Sequence, residues 1–286
     1  MNTYKGYNLF YVNGSSHSAG GGLEDASMFY PNVKSNAYYL NHTLVPYYEK
    51  KYNVTWDSKS KVNFGHRLSE IIKIPCINEA ANGGGPERVV RMTYQFIEKN
   101  WQNRDKIFLI LEKPEYFFRL DLYNSKSKEY FIVNYNEKPG KPKYKLEYAT
   151  PDYLRNDEYI NESQLIFQDY LDHHHDNDEH GKKVDRSFIG LYTFCKRNNI
   201  SIKLMSPIGE ISNSTEIYRS TMDKEDIINL SLSEEHIDST IQHWCANNKM
   251  LISDEIGFPD HHPGYFGHIE YAILLKKWLD INLEEA

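Results

Sequence analysis

A chain of 286 residues has room for one large domain with a substantial core, and 40% hydrophobic with 26% charged residues is ordinary globular composition. A net charge of -7 with histidine neutral argues against nucleic acid as the main partner, because phosphate binding needs a basic footprint. No run of about 18 apolar residues occurs and Met1 to Gly6 is polar, so neither a membrane span nor a signal peptide is expected; the separated Cys76, Cys195 and Cys245 fit reduced thiols of a cytoplasmic protein.

The predicted elements alternate between strand and helix. Tyr7 to Val12 (YNLFYV) reads as a buried strand, followed by the small-residue turn Ser15 to Gly22. Helices are expected at Ala37–Tyr52 and Gly65–Ile72, then a short strand at Ile74–Asn78. A helix over Glu87–Lys99 follows, with Pro86 at its first position, where a missing N–H costs nothing. Ile107–Leu111 (IFLIL) is a third buried strand. Residues 124–185 read as an insertion into a single domain spanning 1–286, with some helix around Ser163–Leu171. The run His173 to His180 within it reads as a solvated loop, because it is polar and mixed in charge. A helix at Phe188–Asn198, a strand at Ser201–Met205, a helix at Ser233–Asn247 and a closing helix at Phe266–Leu279 complete the chain. Ile269, Ala272 and Ile273 have core spacing on that last helix. Short, continuously apolar strands alternating with helices predict an α/β fold with a mostly parallel sheet covered on both faces.

Two segments carry chemistry. Gly14-Ser15-Ser16-His17-Ser18-Ala19-Gly20 follows the first strand directly. A serine nucleophile needs an exposed hydroxyl, a base and backbone donors, and the turn after a parallel strand can supply them. Ser16 is the candidate nucleophile. His17 is set aside as base, since an adjacent residue rarely reaches the hydroxyl with good geometry. Near the other end, Phe258-Pro259-Asp260-His261-His262-Pro263-Gly264 places a carboxylate and two imidazoles on one turn. Asp260 orienting His262 is the arrangement a serine nucleophile requires. His268, in the closing helix, reads as a structural hydrogen-bonder.

Together these segments resemble the SGNH/GDSL hydrolases, whose first block is Gly-Asp-Ser with a glycine soon after; here it reads Gly14-Ser15-Ser16 with Gly20. The last block is similar to Asp260-His261-His262-Pro263 followed by Gly267-His268. The second corresponds to Asn78 to Gly85 (NEAANGGG), and Pro86 to Arg91 resembles the helix start of phage-encoded members. The resemblance implies a three-layer α/β/α sandwich, flavodoxin-like, without metal or cofactor. It implies a Ser16–His262–Asp260 triad cleaving an acyl ester, an acetyl ester or one on a carbohydrate included. It places the oxyanion among Ser16, Ala80, Asn82, Gly83 and Gly84. Three departures accompany it. Ser15 replaces the Asp before the nucleophile, Ala80 replaces the second-block glycine, and Glu112-Lys113-Pro114 stands where Gly-x-Asn-Asp is expected. A carboxylate in an oxyanion pocket is unfavourable, so Glu112 is expected to turn away, toward Arg119. The alternatives are a binding or structural protein on the same fold, and a metal-dependent hydrolase using His261, His262 and His268 with Asp260, or the His173–His180 run.

Overall fold

The computed structural model describes residues 2–20, 63–80, 84–114, 119–124, 128–135, 144–145, 177–205, 220–228, 230, 241–256 and 261–286. The helices expected at Ala37–Tyr52 and Ser163–Leu171 lie outside them.

Among the described residues, four parallel strands form the central sheet: β1 (Leu9–Asn13), β2 (Cys76–Asn78), β3 (Ile107–Glu112) and β7 (Ser201–Met205). Their order is β2-β1-β3-β7. Phe10 pairs with Cys76 on one side and Phe108 on the other, and Leu109 pairs with Ile202. Successive side chains of a strand point to opposite faces. Phe10, Val12, Phe108, Ile110 and Met205 therefore share one face, and Tyr11, Ile107, Leu109, Leu111, Ile202 and Leu204 the other. Every residue of β3 is buried, as a central strand covered on both sides requires.

The first face packs against α2 (Phe64–Ile72), α5 (Ile241–Asn247) and α7 (Tyr265–Asn282), through Phe64, Leu68, Ile241, Cys245, Tyr271, Ala272, Leu275 and Leu279. The second packs against α3 (Pro86–Lys99) and α4 (Asn177–Arg197), through Val89, Phe96, Val184, Phe188, Leu191 and Cys195. Burying each such side chain contributes roughly 1.5–3 kcal/mol. The connection β1–α2–β2 runs to one side of β1, and β2–α3–β3 and β3–α4–β7 run to the other. Crossovers of one hand must put helices for opposite directions on opposite faces, which is the arrangement found.

Local sequence explains the helix ends. Asn63 caps α2 by accepting from the backbone N–H of His66 at 3.0 Å, and Lys73 closes it with φ 59°. Pro86 opens α3 after Gly85. Helix α4 begins at Asn177, eleven residues before the expected Phe188, because its buried seam continues upstream from Phe188 through Val184 to His180. The expected solvated loop is thus helical from Asn177 onward, and His180 is buried. On α7, Ala272 is in the core as expected, but the seam runs through Tyr271, Leu275 and Leu279 rather than Ile273, which is only half-buried.

A second, antiparallel sheet comprises β4 (Arg119–Asn124), β5 (Glu129–Tyr135) and β6 (Tyr144–Lys145). Arg91 of α3 holds it with a bidentate pair to Asp121, at 2.6 and 3.1 Å, and lies 3.7 Å over the Tyr130 ring. Among the described residues, no helix is long and apolar enough to cross a membrane.

Candidate functional site

In an open parallel sheet, ligands bind outside the carboxyl ends of the strands, where the strand order reverses. Here that point lies between β1 and β3, the central pair of the sheet. The segment Asn13 to Ser18 and the side chain of Glu112 meet there.

Asn13, the last residue of β1, is buried, and its side chain fixes the exit of the strand. Its amide donates to the Tyr11 hydroxyl at 2.9 Å and to the Val89 carbonyl at 3.2 Å, while its oxygen accepts from the Gly14 N–H at 2.9 Å. Gly14 then passes so close to Glu112 that an added Cβ would lie 2.7 Å from the Glu112 Cβ and 2.8 Å from Ser18 Oγ. Only glycine fits. A one-turn helix, α1 (Ser16–Ala19), follows.

Glu112 does not turn toward Arg119. The alternation of β3 puts it on the same face as Phe108 and Ile110, and it is only 2% exposed. The backbone N–H of Ser15 donates to its Oε2 at 3.1 Å, the Ser15 hydroxyl to its Oε1 at 2.7 Å, and the Ser18 hydroxyl to its Oε2. Burial pushes its acid strength the other way. The hydrogen bond and charge of His17, with those of Ser15 and Ser18, nevertheless hold the carboxyl below its ordinary value. It is therefore an ionised group inside the protein, held by the serine turn.

His17, set aside above only as a base, is 5% exposed and belongs to this cluster. Its Nδ1 lies 3.0 Å from Ser15 Oγ and 3.7 Å from Glu112 Oε1. Its ring centroid is 5.1 Å from that of His262. The segment carrying His262 is fixed by an isolated bridge between Leu251 and Pro263. The Ile252 N–H donates to the His262 carbonyl at 2.9 Å, and the Gly264 N–H to that of Met250 at 2.8 Å. Gly267 lets α7 approach α5, since a Cβ there would stand 2.5 Å from Cys245 Sγ and 2.8 Å from the Met250 carbonyl. His268 accepts from the Phe64 N–H through Nδ1 at 3.1 Å, the structural role expected of it. Full burial, then the charges of His17, His262 and Arg67, push its pKa down to about 3, so it stays neutral.

The second block docks on the same edge. Asn78 donates to the Ser18 carbonyl at 3.0 Å and accepts from the Ala80 N–H at 3.0 Å. Glu79 pairs backbone to backbone with Val12, and Arg88 of α3 donates to the Glu79 carbonyl at 2.8 Å. Gly84 is buried just before Gly85, which opens α3.

The structure thus brings His262 and Ala80 to the turn that carries Ser16 in its backbone. The Ser16 side chain, Asp260, Asn82 and Gly83 lie outside what is described. His261 is exposed, and among the described residues no group of His, Cys, Asp and Glu side chains is arranged to hold a metal ion. Reading the sequence did not bring Glu112 to Ser15 and Ser18. The available signal was a single carboxylate ending an otherwise apolar central strand, IFLILE.

No family model matches the sequence, and no curated protein matches it. Several solved structures are similar to this chain, two of them as follows. One is a protein assigned to the G-D-S-L lipolytic family from Desulfitobacterium hafniense DCB-2, with 8% identity and TM-score 0.43, covering 95% of this chain and 99% of that one. The other is the psychrotrophic esterase EstA from Pseudoalteromonas sp., inhibited by monoethylphosphonate, with 11% identity and TM-score 0.40, covering 96% and 99%. These structural neighbours are lipolytic proteins and esterases. The resemblance to phage-encoded members finds no support in them. At such identities the roles of individual residues do not transfer.

Proposed function

We propose that this chain is a serine esterase whose nucleophile is Ser16, with His262 as general base and Asp260 as the group that orients it. The observation that carries the reading is the 5.1 Å approach of the His262 ring to that of His17, the residue next to Ser16, at the topological switch point of a parallel sheet. In this reading Ser16 attacks the acyl carbon while His262 takes its proton. The Ser16 N–H and the Gly83–Gly84 turn, with Ala80 and Asn82, hold the oxyanion, and the proton on His262 then passes to the leaving alcohol. Water, activated by the same imidazole, hydrolyses the acyl-enzyme. The substrate class is a small acyl ester, acetylated sugars included, and the reaction needs no cofactor.

Labelling with a fluorophosphonate tests this. Wild-type protein should label; Ser16→Ala should not, and His262→Ala should label far more slowly. A folded wild type that does not label would overturn the reading. One observation favours a binding protein instead: the buried, ionised Glu112 takes the Ser15 N–H and adds negative charge beside the turn. In that case a wild type inert to the probe would still bind acylated sugars in a calorimetric screen.

A further inference from the structure

Ser15 is fully buried, so it is no second nucleophile; its hydroxyl is a bridge. A hydroxyl has one hydrogen. Glu112 also accepts from the Ser15 N–H and the Ser18 hydroxyl, and the hydrogen of Ser15 goes to Glu112 Oε1 at 2.7 Å. The Ser15 oxygen is then an acceptor, and His17 Nδ1, 3.0 Å away, must carry a hydrogen toward it. The His17 backbone N–H donates to the same oxygen at 3.3 Å. The ring is held at Nδ1 by a hydroxyl that is itself held by a buried anion. That carboxylate lies 3.7 Å from Nδ1 and, within the described residues, is the anion facing it.

The other elements around His17 bring positive or neutral groups. His262 comes from the segment before α7 and His268 from α7, and Arg67 of α2 acts on His268. Helix α5 packs on α1. Positive charge on these groups opposes a second proton on His17, and Glu112, 3.7 Å away, is the group that favours it.

We propose that Glu112 is a positioning residue of this site, acting through the Ser15 hydroxyl to hold His17 charged and oriented beside Ser16 and His262. The inference deepens the esterase reading and rests on it for its catalytic meaning. In that reading the site has two imidazoles with divided tasks. His262 moves the proton, while His17 keeps one and sets a positive charge next to the serine turn as the oxyanion develops. The Glu112–Ser15–His17 chain makes that division, because it ties one ring to a buried anion.

The experiment is nitrogen-15 NMR of histidine-labelled protein across pH, on wild type, Glu112→Gln and Ser15→Ala. In wild type, the His17 signals should show a hydrogen on Nδ1 throughout the titration. In Glu112→Gln, His17 should lose its second proton at a pH lower by about 1 unit or more, the usual effect of removing an opposite charge at this range. Ser15→Ala keeps the backbone N–H to Glu112 and should shift the loss in the same direction by less. An unchanged His17 titration in both variants, or a neutral wild-type ring with its hydrogen on Nε2 alone, would overturn the proposal. Should Glu112→Gln fail to fold, Ser15→Ala and the wild-type tautomer still decide. Fluorophosphonate labelling of wild type separates the two readings: loss of labelling with the NMR result intact removes the esterase and leaves the relay, and the reverse result removes the relay alone.

Discussion

The close approach of Gly14 to Glu112 makes Gly14→Ala the sharpest perturbation of this molecule. The new methyl would stand 2.7 Å from the Glu112 Cβ and 2.8 Å from Ser18 Oγ, and nearer still to Oε2. The Cβ is fixed to the backbone of a central strand, and the carboxylate is held by Ser15 and Ser18, so neither yields cheaply. Overpacking of this kind costs about 1–3 kcal/mol, and losing one hydrogen bond to a buried charge about 1.5–3 kcal/mol more. The sum is about 2.5–6 kcal/mol, which lowers Tm by on the order of 10 °C in a chain of this size. Thermal and urea unfolding followed by tryptophan fluorescence would measure it. Gly190→Ala is the matched control. It sits in α4 with nothing within 4 Å of the added Cβ, and should stabilise by about 0.5–1 kcal/mol. A Gly14→Ala protein within about 2 °C of wild type, or one no less stable than Gly190→Ala, would refute the packing argument.

Acidification should destabilise the protein before bulk carboxylate titration. Folded His268 stays neutral down to about 3 while the unfolded chain protonates it below about 6.5, so its contribution, present at neutrality, is lost as pH falls through that window. Glu112, also depressed, adds its loss below its ordinary value of 4.5. His268→Gln should reduce the stability lost between pH 6.5 and pH 5 by about 2 kcal/mol in urea titrations; an unchanged loss counts against a neutral His268. Arg91→Ala strands Asp121, whose carboxyl burial already raises in pKa, and should destabilise by about 3–5 kcal/mol and open the β4–β5 hairpin to limited proteolysis. Gly267→Ala drives a methyl into Cys245 and the Met250 carbonyl, shifting the His262 segment. It should cost about 1–3 kcal/mol and slow fluorophosphonate labelling more than Gly190→Ala does.

The parallel sheet was legible because its strands are short and continuously apolar, and a buried central strand can hardly look otherwise. Ile107–Leu111 and Ser201–Met205 fall where their hydrophobicity puts them. The turn after β1 was legible from its small residues, and the His262 segment from its crowding of polar groups. Glu112 was not, because composition says a carboxylate avoids the interior, whereas the pleat of the strand dictates direction first and hydroxyl partners then make it tolerable. Lys203 teaches the same lesson. It sits buried in β7, yet its ammonium meets Asp226 at 2.6 Å and the Asn282 carbonyl at 2.7 Å, residues that no local pattern links to it. The nearness of His17 to Glu112 was not legible either, because that neighbour is a strand away in the sequence.

The stitching of α7 to the start of the chain bears on how the molecule comes into being. The Tyr4 hydroxyl donates to Asp280 at 2.7 Å across 276 positions, Lys5 reaches the Asp280 and Leu283 carbonyls, and α7 covers one face of the sheet. During synthesis β1 and its serine turn emerge early, while the helix that shields them and brings His262 to them emerges late. Contacts so distant in sequence form slowly. A chain whose α7 has not yet been made would hold an open apolar sheet face and no assembled site, so the histidine pair and chain compaction should appear in the same late kinetic step.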